Sequence, residues 1–185
     1  MNLIVHAELS WLAAQGLSAR RDRRLVMLAG MAPDLDGLGL FFGHSLYETY
    51  HHVLFHNCLG AVLCAVIFGA FATRRLAVAG LAFFAFHLHL LCDLAGSGVF
   101  WPIAYFWPVS RHFYGWSGSW ELVSWQNTVI GMFATLACLA AALRWNRTIV
   151  EVFSTVADAR VVAAVRGRAG RSESPRSRVD GTESE

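Results

Sequence analysis

The chain has 185 residues, of which 56% are hydrophobic and only 15% are charged, against about 25% charged in ordinary soluble domains. Too little charge remains to cover a soluble exterior, so membrane residence is favoured over a soluble all-α protein with buried helices. The formal net charge of +2 is too small to indicate nucleic-acid binding. The four cysteines form no C-x-x-C pair and are interpreted as small buried hydrophobes rather than zinc ligands.

The beginning of the chain alternates apolar runs with charged clusters. Residues 2–19 predict a first helix with His6 near its start, and four arginines follow within residues 20–24. The next apolar run, residues 25–32, is too short to cross a bilayer. It ends before Pro33, because proline disfavours the helical conformation at the residue that precedes it.

Two polar clusters come next. Asp34 and Asp36 fall at the end of the preceding element, where their side chains can turn toward a common point. The segment 43–57 is rich in histidine, and four of its polar residues follow one another at spacings of four, which predicts one shared face if the segment is helical. These four residues are His44, Glu48, His52 and His56.

Three segments without any formally charged residue predict helices that cross a membrane. They cover residues 53–73, 76–92 and 128–143. The aromatic stretch 100–125, interrupted by proline and glycine, is typical of the boundary between membrane and water. The predicted fold class is therefore all-α, a multi-helix integral membrane bundle with a buried His/Asp site.

The domain organisation follows from the same pattern. We predict a membrane-embedded domain over residues 1–147 and an amphipathic surface helix over residues 148–165. Residues 166–185 are charged and contain serine and glycine, which predicts a disordered C-terminal tail.

Arginines and metal-ligating residue types divide between opposite ends of these helices. The arginine clusters at residues 20–24, 74–75 and 144–147 fall at one end, and the histidines and aspartates fall at the other. The positive-inside rule places the arginine end in the cytoplasm. Four separate segments then deliver imidazole nitrogens and carboxylate oxygens to one region, a ligand mixture that Zn²⁺, Mn²⁺ or Fe²⁺ accepts.

The best ligand candidates are His89 and Asp93, which lie in an otherwise apolar segment. Four residues apart on a helix, they project from one face and can hold a single cation. The alternative is that Asp93 pairs locally and His89 is an ordinary core histidine, because H-x-x-x-D spacings often occur by chance. The histidines and aspartates predicted at the same end favour the metal site.

Several of these motifs occur together in an order that is typical of one family. The motifs are His6, then Pro33-Asp34-Leu35-Asp36, then His51-His52-Val53-Leu54-Phe55-His56-Asn57, then His89 with Asp93, Gly98 and Trp101-Pro102. In their order and spacing the chain resembles, over about residues 2–108, the YdjM-like, LexA-regulated, membrane-bound metal-dependent hydrolases of bacteria. The second histidine element departs from the family pattern, since His52 stands in place of an arginine and Val53 in place of a glycine.

The resemblance implies a multi-pass protein of the bacterial inner membrane that uses a divalent metal, with zinc expected and manganese or iron as alternatives. It favours His51 as a ligand, although His52 has the better helical spacing to His56. Asp36 is the candidate catalytic residue, either as general base for the attacking water or as a partner that orients a histidine. The expected metal ligands are His6, Asp34, His51, His56, His89 and Asp93.

The predicted function is hydrolysis of an ester or phosphoester by metal-activated water. Zinc-dependent phospholipase C enzymes have a similar His-x-x-x-Asp pair, which suggests phosphoester chemistry by analogy. The expected partners are the lipid bilayer and a lipid or phosphoester substrate, and nucleic acid is not expected. The alternative is a non-catalytic membrane protein that uses the cluster as a structural metal site or to bind a lipid or partner. An open coordination position beside a cleft would favour the enzyme.

Overall fold

The computed structural model describes residues 1–172. This part of the chain is helical and contains no β-strand, only an isolated bridge between Ile103 and Tyr114. The all-α prediction is confirmed. The helices are α1 (Leu3–Ala13), α2 (Arg20–Met31), a 3₁₀ segment (Ala32–Phe42), α3 (His44–Tyr50), α4 (Cys58–Ala70), α5 (Arg75–Gly96), α6 (Trp125–Trp145), a short 3₁₀ turn (Ile149–Val152) and α7 (Thr155–Ser172).

The chain divides into two compact units, Met1–Cys138 and Leu139–Glu185. In the first unit, α5 is the central helix and packs against α1, α2 and α4. Its fully buried positions include the small residues Val78, Ala82 and Ala85. Small residues let neighbouring helices approach closely, which is how apolar helices associate where water provides no hydrophobic driving force.

Helices α1 and α2 are in close contact at Gly30. A Cβ atom on Gly30 would lie 1.8 Å from Ser10 Oγ and 2.6 Å from Ser10 Cβ. Only glycine allows this contact without a shift of one helix. The close approach holds α2 in place beside α1, and α2 leads directly into the aspartate-bearing 3₁₀ segment.

The start of α2 lies beside the turn between α4 and α5. Asp22 accepts hydrogen bonds from the backbone N–H groups of Thr73 at 2.8 Å and Arg74 at 2.9 Å. Arg23 donates to the carbonyl oxygen of Leu17 at 2.8 Å. The arginine clusters 20–24 and 74–75 therefore meet at one end of the first unit, as the sequence predicted.

Three helical stretches are long and apolar enough to cross a membrane, by length and composition. Two of them contain the predicted segments 76–92 and 128–143. The predicted segment 53–73 holds only the shorter helix Cys58–Ala70, because its first residues form a loop. The third stretch begins at the arginines, where the sequence predicted a run too short to cross. The three stretches are Arg20–Phe42, Arg75–Gly96 and Trp125–Trp145.

The α-helix ends at Met31, just before Pro33, as predicted, but the stretch is not too short to cross because the helical path continues as a 3₁₀ segment. Pro33 lies in the first turn of the 3₁₀ segment, where a missing N–H costs no hydrogen bond, so the helical path continues to Phe42. The segment 43–57 is helical only from His44 to Tyr50, so the condition for one shared helical face is not met. His52 has a φ of 67°, which no helix accommodates, and the chain turns there.

The second unit contains the end of α6 and helix α7. Asp158 accepts hydrogen bonds from the backbone N–H of Thr148 at 2.8 Å and from its hydroxyl at 2.6 Å, which joins the short 3₁₀ turn to α7. Helix α7 continues to Ser172, past residue 165 where the predicted surface helix ended. The rest of the predicted tail, residues 173–185, lies outside the described residues.

Candidate metal centre

Four of the predicted ligands meet at the end of α5. Asp34, His56, His89 and Asp93 each offer a ligand atom, and all four atoms lie within 4.8 Å of one another. The residues come from the 3₁₀ segment, from the loop between α3 and α4, and from α5. His56, His89 and Asp93 are buried, and the Asp34 side chain is 25% exposed. The predicted convergence of separate segments is therefore present in the structure.

The two residues on α5 are arranged as their spacing predicts. His89 Nε2 lies 3.0 Å from Asp93 Oδ2, one helical turn away. On its other side, His89 Nδ1 lies 2.7 Å from the carbonyl oxygen of Gly30. Because a carbonyl only accepts, Nδ1 carries the ring proton and donates it. The lone pair of Nε2 therefore faces the cluster.

His56 is oriented in the same manner by a carboxylate. Its Nδ1 donates to Asp36 Oδ2 at 2.8 Å. Its Nε2 lies 3.3 Å from His89 Nε2 and 3.3 Å from Asp93 Oδ2. Carboxylate groups behind ligating histidines fix the tautomer and raise the basicity of the ligand nitrogen.

Asp36 lies behind the histidines, with both of its oxygens already bonded. Oδ1 is 2.6 Å from His51 Nδ1, and Oδ2 accepts from His56 Nδ1 and from the backbone N–H of His52 at 3.1 Å. The Asp36 side chain is fully buried. Asp36, His51 and His56 also form a second group of metal-ligating types that shares His56 with the first.

His6 occupies the other side of Asp93. Its ring stacks on the His89 ring with centroids 3.7 Å apart, and its Nε2 lies 3.1 Å from Asp93 Oδ1. The same oxygen contacts the Met1 amino group and the Ser97 hydroxyl. His6 Nδ1 is buried without a hydrogen-bond partner among the described residues. His6 therefore contacts the ligand carboxylate rather than facing the four-atom group.

His52 is the residue that sequence reasoning passed over. It is only 2% exposed, its Nδ1 donates to the Trp101 carbonyl oxygen at 3.0 Å, and its Nε2 lies 3.7 Å from Asp93 Oδ2. Burial lowers the pKa of His52 to about 3, so the ring is neutral. His51, preferred on the resemblance, instead contacts Asp36 and stacks on Tyr47 with centroids 4.6 Å apart. The spacing of four between His52 and His56 was the feature of the sequence that could have identified His52. In the structure a turn, rather than a helix, brings the two rings together.

The centre attracts positive charge. Burial opposes a charge on His56, but hydrogen bonds with Asp36 and Asp93 outweigh it and raise the pKa of His56 to about 9. In the protein without metal, a proton on His56 Nε2 thus bonds to the acceptors His89 Nε2 and Asp93 Oδ2, which would otherwise face the lone pair of His56. A divalent cation would satisfy the same lone pairs without that proton.

The spacing of the four atoms fits a metal ion. Four tetrahedral ligands at about 2.1 Å from an ion lie about 3.4 Å from each other. The separations are 3.0 Å for His89 to Asp93, 3.3 Å for His56 to either of these residues, and 3.7 Å for His89 to Asp34. The imidazole and carboxylate donors match the preferences of Zn²⁺, Mn²⁺ and Fe²⁺. The group can therefore hold a metal ion.

A cavity of about 360 Å³ opens onto this centre. Asp34 and Asp93 line it together with His51 and His52. Its other walls include Tyr47, Ser97, Trp101 and Glu121. The centre is therefore accessible from one side.

Fold and site together define a class, an all-α membrane protein with a buried His/Asp group that can hold a metal ion. The chain matches the family model described as YdjM inner membrane protein over residues 1–168, and it belongs to that family. The assignment to a YdjM-like family that was inferred from the motifs is thereby confirmed. No curated protein and no solved structure matches the chain.

Proposed function

We propose that this protein is a multi-pass enzyme of the bacterial inner membrane that hydrolyses an ester or phosphoester with the help of a divalent metal, zinc in the first place. The observation that carries the proposal is the set of four ligand atoms within 4.8 Å of one another beside a cavity. A closed structural site would need no such cavity. The structural-metal alternative is therefore less well supported by this geometry, and the test below separates hydrolysis from lipid or partner binding.

Asp34, His56, His89 and Asp93 would hold the ion. When bound, a divalent ion lowers the pKa of water toward about 7 and polarises the ester oxygen. His6 and His51, the other two predicted ligands, contact the carboxylates of this centre instead. Their proposed roles are to hold Asp93 and Asp36 in place, with ligation of a second ion by Asp36, His51 and His56 as the alternative for His51.

Asp36 would act as a positioning residue. Its two oxygens accept from His51, His56 and the His52 backbone, so little capacity remains to take a proton from water. This supports the orienting role among the two that the sequence left open. In the overall reaction, the water oxygen bonds to the acyl carbon or phosphorus, the bond to the leaving oxygen breaks, and the water proton passes to that oxygen.

The test measures metal content and hydrolysis in the same preparations. Detergent-purified protein should contain a divalent metal by elemental analysis and should hydrolyse chromogenic esters or phosphodiesters in an EDTA-sensitive manner. Asp93→Asn and His89→Ala should each lose the metal and the activity. The matched control is His87→Ala, because His87 lies on the same helix but contacts the Phe83 carbonyl oxygen and the Tyr105 hydroxyl, each at 2.8 Å.

The outcomes separate the alternatives. A metal that is present in the parent and His87→Ala, and lost in the other two variants, establishes the site. Metal binding without hydrolysis of any tested ester would favour the structural alternative. Equal metal content in all three variants would refute the metal centre.

A further inference from the structure

Two further cavities follow the one at the metal centre. The second, of about 400 Å³, shares His51 and Trp101 with the first. The third, of about 310 Å³, shares Thr49, Val53 and Phe113 with the second. We call this succession of cavities the α3 groove, because residues of α3 and the segment 100–113 line it. Through these shared lining residues, the α3 groove extends from the metal centre to a part of the protein that the proposed chemistry does not use.

The charge along the α3 groove changes sign from one end to the other. At the metal end the lining includes the carboxylates of Asp34, Asp93 and Glu121, and Glu48 lines the second cavity. Arg111 lines the third cavity and is the only arginine among the residues that line the three, while the Met1 amino group in the first cavity is paired with Asp93. An anionic group in the α3 groove is therefore repelled from the metal end unless a metal binds it, and is attracted to Arg111.

Arg111 has no role in holding the fold together. Its side chain is exposed, and within residues 1–172 it makes no ion pair or hydrogen bond. The arginines at residues 20–24 and 74–75, by contrast, lie together at the other end of the first unit. A guanidinium offers five N–H donors in a planar fork that matches phosphate and carboxylate. Arg111 is exposed and lines the third cavity, so these donors are available to a ligand there.

The loop that carries Arg111 is fixed relative to the metal centre. Ile103 and Tyr114 exchange two backbone hydrogen bonds, at 2.8 and 2.9 Å, which close the loop at its base. Next to this pair, the backbone N–H of Ala104 donates to the carbonyl oxygen of His52 at 3.1 Å. His52 in turn lies 3.7 Å from Asp93. Backbone contacts thus hold the base of the loop that carries Arg111 at a set position relative to the metal centre.

The walls between the two ends are apolar and aromatic. Phe100, Trp101 and Pro102 line the second cavity, and Trp107 lines the third. Such walls accept the hydrocarbon part of a molecule, while the charged ends select its polar groups. A ligand that fits all three parts has a polar reacting group, an apolar body and an anion.

We propose that Arg111 binds the anionic phosphate of an amphiphilic ester whose scissile bond lies at the metal centre. This inference rests on the proposed function only for the position of the scissile bond at the metal centre. Free inorganic phosphate offers the same chemistry to Arg111 without the amphiphile, and the test distinguishes the two sources.

The experiment measures binding by titration calorimetry with the full-length protein in detergent and EDTA, so that neither metal nor turnover contributes. The probes are dihexanoyl phosphatidic acid and, as the uncharged match, dihexanoylglycerol. The parent should bind dihexanoyl phosphatidic acid about tenfold more tightly than dihexanoylglycerol, as expected for a charged hydrogen-bonded pair. Arg111→Gln should remove this preference, and Arg111→Lys should keep part of it because it keeps the charge.

The matched control is Arg24→Gln, which removes an exposed charge at the start of α2, outside the α3 groove. It should bind both probes as the parent does. An undiminished preference in Arg111→Gln would overturn the proposal. Displacement of the lipid by an equal concentration of inorganic phosphate would assign the site to free phosphate and overturn the amphiphile. Because EDTA is present, undiminished metal binding in Asp93→Asn, measured separately without EDTA, would refute the proposed function without changing this result.

Discussion

His56 Nε2 and His89 Nε2 lie 3.3 Å apart, and an acceptor on the far side of each ring turns it toward the other. Asp36 stands behind His56, and the Gly30 carbonyl oxygen stands behind His89. The two histidines are 33 residues apart in the chain, so their facing geometry depends on contacts from other segments. Substitutions behind the rings should therefore alter metal binding without touching a ligand.

The first prediction concerns the carboxylate behind His56. Asp36→Asn keeps the shape of the side chain but weakens its hydrogen bonds to His51 and His56, so metal affinity should fall about 10–100-fold. Competition with a chromophoric zinc chelator measures this change. Asp158→Asn, which removes a buried carboxylate from the second unit, should leave affinity unchanged. Unchanged affinity with lost hydrolysis in Asp36→Asn would instead assign Asp36 as the general base.

The second prediction concerns the close contact between α1 and α2. Gly30→Ala places a methyl group on Ser10 Oγ, and overpacking of this kind costs about 1–3 kcal/mol in the free energy of unfolding. The shift of Gly30 should also weaken metal binding, because its carbonyl oxygen orients His89. Thermal unfolding in detergent and the chelator assay measure both effects.

Two variants make this second prediction specific. Adding Ser10→Gly removes both atoms that the new methyl group would meet, so the double variant should recover much of the loss. Gly80→Ala, at a helical position with nothing within 4 Å, should be neutral or slightly stabilising. If Gly30→Ala unfolds at the same temperature as Gly80→Ala, the close contact does not exist in the protein.

The third prediction concerns orientation in the membrane. Arginine-rich ends face the cytoplasm, so in a cysteine-depleted variant Arg74→Cys should resist an impermeant maleimide applied to spheroplasts. Phe100 is 85% exposed and lines the α3 groove near the metal centre. A cysteine in its place, Phe100→Cys, should therefore be labelled under the same conditions. Efficient labelling of Arg74→Cys with protection of Phe100→Cys would reverse the topology.

The composition and the apolar segments were sufficient to predict an all-α membrane protein. They fail at residues 53–73, where a loop replaces the start of a helix, and at Pro33, where a 3₁₀ path continues the helix. Both errors have one cause. A hydropathy pattern reports where apolar surface accumulates, whereas the bounds of a helix depend on the hydrogen-bonded path of the backbone.

Residue spacing alone predicts that His89 and Asp93 share a face, because the helical period is a property of the local backbone. It also predicts that aspartates and histidines from other segments meet this pair. The choice between His51 and His52 lay beyond spacing, because it depends on a turn at a positive φ. The partner of His89 lay beyond it as well, since the Gly30 carbonyl oxygen is 59 residues away. The direction of each imidazole nitrogen is set by acceptors distant in sequence, and only the folded chain brings those acceptors into place.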